Sequence, residues 1–395
     1  MLPDSLKVNC RLVRGVELNC SHRRTMPMNH LDTLSQTLLM GPGPSCVPDP
    51  VYAALSRYTI GHLDPRFISI MDEIKRRLQL LMETENRLTI PISGTGSAGM
   101  ETCFVNLIEP GDPVLVLKNG VFGMRMEDLA GRLGAAVDVL EFEWGTAVEP
   151  EAVKKKLQEK SYKIVAVVHA ETSTGVMNPV DKIGEMAAAS NALFLVDSVT
   201  SLGGLPVKTD DWKIDAIYSG TQKCLSCPPG LAPISFSAKA IETLKARKTK
   251  VPNWYLDLTM IINYWDGDTR AYHHTAPVNM LYGLYAALGV ILEEGKEQVF
   301  ARHRQTHDYL VEGLEKLGLA MAVSPESRLP MLNAVTIPEG TEDARIRQQL
   351  LKKYDIEIGA GLGPLAGKIW RVGLMGHTAR EKNVDRLLQA LQEIL

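Results

Sequence analysis

The sequence predicts an α/β fold: a large domain built on a mainly parallel sheet flanked by helices, followed by a smaller C-terminal α+β domain. Two observations carry this. From residue 87, short runs of Val, Ile and Leu alternate with helical stretches, the mark of a parallel sheet with helices on both faces. The 395 residues also exceed the roughly 250–300 at which a single hydrophobic core stops growing.

The strand candidates lie at 88–91, 114–117, 137–140, 164–168, 193–196, 216–218 and 234–236. Several are nearly unbroken apolar runs, as strands buried on both faces are. Helical stretches fall between them at 100–107, 123–133, 151–159 and 181–189. A further helix begins at Pro277 and sets Met280, Leu281, Leu284, Leu288 and Ile291 on one face, since residues three and four apart are neighbours there. Gly295 is its stop signal, and the domain boundary is placed at that point. The expected division is 1–36 as an N-terminal arm, 37–295 as the large domain and 296–395 as the small one. The small domain carries strands at 333–337 and 369–374 and a closing helix after Thr378.

The arm holds Arg11, Arg14, His22, Arg23 and Arg24, with Asp4 and Glu17 among them and no clear amphipathic face. A loosely ordered arm or an over-extended start is expected rather than a targeting peptide. A net charge of -3 lacks the basic footprint that nucleic acid requires. No apolar run reaches the ~20 residues that span a bilayer. Six cysteines at irregular spacing are too sparse for a disulfide scaffold, so a reduced, cytoplasmic protein is expected.

Three motifs carry chemistry. The first is Gly94-Thr-Gly96-Ser-Ala-Gly99, between a strand and a helix. A glycine turn at a helix N-terminus offers free N–H groups to a phosphate; the alternative is a structural turn. The dinucleotide reading also needs an acidic residue closing the next strand, and that strand ends in Lys118-Asn119. The second is Asp197, at the end of a buried strand, where α/β proteins bind ligands; it suits either a protonated heterocycle or a turn cap. The third is Tyr218-Ser-Gly-Thr-Gln-Lys223-Cys-Leu-Ser-Cys-Pro-Pro-Gly230. A lysine among small uncharged residues is open to desolvation, which lowers its pKa and frees the amine as a nucleophile. Cys224 and Cys227 lack further ligands at zinc spacing and read as buried small residues. His273 and His274 are adjacent, and adjacent side chains point different ways, against a metal pair.

These motifs follow in order with Gly41-Pro-Gly-Pro44, His169-Ala-Glu-Thr-Ser-Thr-Gly175, Tyr272-His-His-Thr275 and Gly363-Pro-Leu-Ala-Gly-Lys-Ile-Trp-Arg371. From about residue 37 to the end the chain resembles the class V aminotransferases of pyridoxal-phosphate fold type I, in the alanine–glyoxylate and serine–glyoxylate branch. The resemblance implies a homodimer using pyridoxal 5'-phosphate, which moves an amino group from alanine or serine to glyoxylate or a similar 2-oxo acid. It implies Lys223 as the Schiff-base lysine and Asp197 as partner of the pyridinium nitrogen. It puts Thr95, Gly96, Ser97 and Gln222 around the phosphate, Phe122 and Val199 on the two ring faces, and Thr172 at the ring hydroxyl. Tyr272 and Thr275 would reach the neighbouring subunit's phosphate. Arg371 would bind the substrate carboxylate through its planar fork, with the Gly43 backbone close to the substrate. Alanine–glyoxylate enzymes of the mammalian type carry histidine at the place of Ser97 and tryptophan at that of Phe122.

An alternative in the same family is (S)-ureidoglycine–glyoxylate transamination in purine catabolism. Trp144-Gly145 and the run up to Arg371 resemble that branch, whereas its members tend to have glutamine in place of His62 and asparagine in place of Tyr272. Cysteine desulfuration is set aside because no cysteine follows Cys227. An NAD-dependent dehydrogenase would rest on the glycine motif alone and is disfavoured.

Overall fold

A computed structural model describes residues 30–266 and 270–395. The arginine-rich part of the predicted arm lies outside the described residues; His30–Thr33 forms a short 3-10 turn.

The main sheet has seven strands: β1 (Leu88–Ser93), β2 (Pro113–Lys118), β3 (Ala136–Glu141), β4 (Ile164–Val168), β5 (Leu193–Asp197), β6 (Ala216–Tyr218) and β7 (Leu231–Phe236). Their order is β1-β7-β6-β5-β4-β2-β3. Only β7 runs against its neighbours; the other pairings are parallel. Every residue of β4, β5 and β6 is buried, which is why those strands read as continuous apolar runs. β3, at the edge, keeps none of its residues fully buried.

The sequence places the last strand at 234–236, and β7 begins three residues earlier, at Leu231. Pro233 argues against a strand interior. In the register Pro233 opposes Pro91, so the two residues without an N–H face each other.

Two helices before β1 carry no assignment from sequence: α1 (Asp49–Leu55) and α2 (Pro65–Met82). The signals for α2 are present. Asp64 caps it by accepting from the Arg66 N–H, Pro65 opens it, and Phe67, Met71, Ile74 and Leu78 form its buried stripe. The helices α3 (Gly96–Leu107), α4 (Val121–Arg132) and α6 (Val180–Ala189) pack on the sheet, and α5 (Pro150–Glu159) packs against α6. Two more follow the sheet, α7 (Ala238–Lys245) and α8 (Leu258–Asp266), and then α9 (Val278–Glu294).

A second sheet, in the order β8 (Leu332–Thr336), β10 (Ile369–Gly373), β9 (Gly359–Ala360), is antiparallel throughout. Its core joins α10 (Lys296–Lys316), α11 (Asp343–Tyr354) and α12 (Glu381–Ile394) through Leu310, Leu350, Trp370 and Leu387. Leu38 and Met40 also belong to this second core. The strand Leu38–Leu39 pairs in parallel with Ile356–Glu357, and Met40 accepts from the Gly373 N–H at 2.7 Å. The chain then crosses to the main sheet, where the Ser45 N–H donates to the Gln222 carbonyl at 2.9 Å. Among the described residues no helix is long and apolar enough to cross a membrane.

Candidate active site

The carboxyl ends of β1, β4, β5 and β6 open on one edge of the main sheet, the edge where such sheets take ligands. Lys223 stands in the loop after β6 and is 8% exposed. Its Nζ donates to the Pro42 carbonyl. Gly43 has φ +100°, and a Cβ added there would come within 2.8 Å of Nζ, so only glycine leaves room for the amine. Burial first, and then the charge of Arg371, pull the Lys223 amine down to about 8.

Asp197 ends β5 and is buried. Its Oδ1 accepts from the Val199 N–H at 2.7 Å and its Oδ2 from the Tyr218 hydroxyl at 2.8 Å. Burial pushes its carboxyl up to about 7. Tyr218 has no role in the sequence reading. The signal for it is that β5 and β6 run in register with Asp197 opposite Tyr218, which needs the sheet order to be known.

Gly96 opens α3, and the N-cap Thr95 makes no side-chain cap bond. The first N–H groups of a helix have no partner within it, so those of Gly96 and Ser97 face outward with the exposed Thr95 and Ser97 side chains. A Cβ on Gly96 would lie 3.3 Å from Val199 Cγ2 and 3.6 Å from the Gly220 Cα, and one on Gly220 would lie 2.8 Å from Gln222 Oε1. The structure thus gathers Gly96, Val199, Gly220 and Gln222 at one point. Gln222 Oε1 is buried and has no hydrogen-bond partner.

Arg371 lies mid-strand in β10, 7% exposed. Its Nε donates to the Ala360 carbonyl at 2.6 Å and its Nη1 to the Thr172 carbonyl at 3.1 Å. Among the described residues it has no carboxylate in ion-pair contact, and burial lowers its pKa. Thr172 is therefore tied to Arg371 through its backbone. Phe122 starts α4 half-buried, with the Arg125 guanidinium 4.8 Å from its ring centre. Glu171, fully buried beside Thr172, is a second residue that sequence reasoning does not single out.

Tyr272 and Thr275 are exposed, and their hydroxyl oxygens lie 3.4 Å apart. The Tyr272 ring meets His62, with centroids 5.4 Å apart. Neither residue bonds to Lys223, Asp197 or Arg371 within this chain. His273 and His274 do not point apart as expected: their Nδ1 atoms lie 2.8 Å from each other, and His274 Nε2 lies 2.7 Å from Ser93 Oγ. His169 is buried edge-on against Trp212, and burial lowers its pKa to about 4.

Fold and site together present a buried lysine amine on the carboxyl edge of an α/β sheet. The aminotransferase class V family matches residues 38–387. The chain is 42% identical to the alanine–glyoxylate aminotransferase of Mus musculus, over 91% of this chain and 87% of that one. It is 40% identical to the (S)-ureidoglycine–glyoxylate transaminase of Bacillus subtilis, over 90% of each. Among solved structures, that of alanine–glyoxylate aminotransferase from Nostoc sp. superposes with a TM-score of 0.91 at 45% identity, covering 96% of this chain and 100% of that one. The chain belongs to the class V aminotransferase family, and it is an aminotransferase.

Proposed function

We propose that this aminotransferase uses pyridoxal 5'-phosphate to move an amino group from a small amino acid, alanine or serine, to glyoxylate or a similar 2-oxo acid. The observation that carries the reading is Lys223, a buried lysine with a depressed pKa and, among the described residues, no carboxylate partner. The site fits the cofactor on three further counts. Free helix N–H groups meet at a glycine cradle that a Cβ on Gly96 or Gly220 would crowd; this suits a phosphate. Buried Asp197 suits a protonated ring nitrogen, because an adjacent cation favours a carboxylate's charged form. The Lys223 amine suits an aldehyde carbon.

Lys223 would hold the cofactor covalently, Asp197 would face its ring nitrogen, and Thr95, Gly96, Ser97 and Gln222 would hold its phosphate. Phe122 and Val199 would cover the ring, with Thr172 at its hydroxyl. When bound, the cofactor supplies an electron sink that lets the Cα–H bond of an amino acid break. Arg371 binds the substrate carboxylate through a bidentate fork, which sets the Cα–H bond toward Lys223. An amine with a pKa near 8 both takes up and returns a proton near neutral pH. The Gly43 backbone keeps the approach to Nζ narrow.

Tyr272 and Thr275, exposed and, among the described residues, hydrogen-bonded only to each other, are proposed to complete the phosphate site of a second subunit in a homodimer. The free thiols Cys46, Cys103, Cys224 and Cys227 support a reducing, cytoplasmic setting. The division into domains 37–295 and 296–395 is likewise a proposal, supported by the separate cores on the two sheets.

Borohydride reduction of the coloured enzyme followed by peptide mapping tests the assignment: label on Lys223 supports it, and label on another lysine overturns it. The Bacillus subtilis relative keeps ureidoglycine as a second reading of the donor. His62 against Tyr272 favours the first, because the ureidoglycine branch tends to have two amides at those places. A screen of alanine, serine and ureidoglycine against glyoxylate decides between them.

A further inference from the structure

Glu171 is a fully buried acid that the mechanism above leaves unused. It ends the short strand Ala170–Glu171, just past β4. Among the described residues no Lys or Arg forms an ion pair with it. Its charge is met by hydrogen-bond donors instead. Oε1 accepts from the Ser173 N–H at 3.1 Å and the Ser173 hydroxyl at 2.5 Å. Oε2 accepts from the N–H groups of Phe122 at 3.1 Å and Gly123 at 3.4 Å. Ser173 Oγ in turn accepts from the Val121 N–H at 2.9 Å. The first three N–H groups of α4, which the helix itself leaves unmet, are thus all taken by the Glu171–Ser173 pair. The fit is close: a Cβ on Gly120 would lie 2.4 Å from Glu171 Cδ and 2.5 Å from Ser173 Oγ.

Between these two residues stands Thr172, whose carbonyl accepts from Arg371 Nη1 at 3.1 Å. The segment 171–173 therefore holds α4 with its side chains and the substrate arginine with its backbone. We infer that Glu171 is a positioning residue, fixing together the Phe122 ring at the cofactor face and the Arg371 fork at the substrate carboxylate. This rests on the roles proposed above for Phe122 and Arg371. Glu171 touches neither cofactor nor substrate and acts through its neighbours. Burial raises its pKa and the bonds from Ser173, Gly123 and Phe122 oppose that rise, as expected for a carboxylate kept dry by its donors alone. It is also a carboxylate whose charge favours the charged form of Arg371.

Glu171→Gln keeps the shape and replaces one acceptor by a donor, so either the α4 N–H groups or those of Ser173 face an NH2. With purified holoenzyme, three readouts are expected to move together. The induced circular dichroism of the bound cofactor weakens, cofactor release on dilution speeds up about tenfold, and KM for the amino donor rises about tenfold while kcat falls less. Ser173→Ala, a milder change that removes one bond to Glu171 and the acceptor for Val121, is expected to move the same readouts in the same direction by a smaller amount. Unchanged dichroism, release rate and KM in both variants would overturn the inference. So would losses that track a lower melting temperature alone, which is what a purely structural carboxylate gives. Peptide mapping of Lys223 on the same Glu171→Gln sample keeps the two claims apart: label elsewhere sinks the functional reading, whereas label on Lys223 with unmoved readouts sinks only the role of Glu171.

Discussion

An ammonium group stripped of water and set near another cation gives up its proton easily, and Lys223, buried near Arg371, is in that position. Lys223→Ala is expected to abolish turnover and the covalent link while the α3 cradle still holds free cofactor weakly; a visible spectrum before and after gel filtration checks it. Arg371 is the complementary case, a buried cation whose bonds, among the described residues, reach backbone carbonyls and no acid. Charge-assisted bonds contribute about 1.5–3 kcal/mol each. Arg371→Ala is therefore expected to keep the cofactor band and lower kcat/KM for amino donors by roughly two to four orders of magnitude. Arg371→Lys is expected to recover part, keeping the charge and losing the fork. Steady-state kinetics and a melting curve on one sample separate this from a structural role, in which stability and colour would fall together. Asp197 gives a pH test. Burial raises its carboxyl from the ordinary 3.8 to about 7 in the fold, so between those values the folded cofactor-free protein binds more protons than the unfolded chain. Stability then falls as pH rises through that window and is lowest, on this account, above 7. Cofactor-free Asp197→Asn should lack this fall, matching the parent near pH 4 and melting higher above pH 7.

At the scale of elements, the turn at Gly41–Pro44 and the start of α3 act as fixed walls. Gly43→Ala places a methyl group against Lys223 at a φ of +100°, a strain on the order of 1–3 kcal/mol. We expect an intact fold by far-ultraviolet circular dichroism and kcat/KM lower by about a hundredfold, since a displacement near 1 Å of the reacting amine is enough for that. How far elements can be read from sequence follows their burial. β4 and β6 coincide with the runs read from sequence, because strands buried on both faces are apolar throughout. β7 extends past Pro233, which the ladder tolerates because Pro91 lies opposite it. α2 ends in a left-handed Glu83 at φ 47° where glycine is the usual stop signal.

For the whole molecule, the proposed sharing of Tyr272 and Thr275 makes activity a property of the pair. A heterodimer of a Lys223→Ala subunit and a Tyr272→Ala subunit carries one site with both residues intact and one with neither. Mixing the two variants under exchanging conditions should restore activity that neither shows alone, with sedimentation reporting dimers throughout. Mixtures no more active than the better variant would place Tyr272 outside the partner's site.

What the sequence determined by itself is the local chemistry. Apolar runs separated by helices set the α/β class. A glycine turn before a helix marks the proposed phosphate cradle, and an uncharged loop marks Lys223. Each depends on residues within a few positions of one another. Tertiary structure decided what depends on distant partners. That Tyr218 bonds Asp197, that Arg371 meets the Thr172 carbonyl across 199 positions of chain, and that Glu171 closes the end of α4 all follow from strand order and from the packing of the second sheet. A buried carboxylate or guanidinium looks like any surface charge in sequence, because the loss of water that sets its behaviour is imposed by residues far away in the chain.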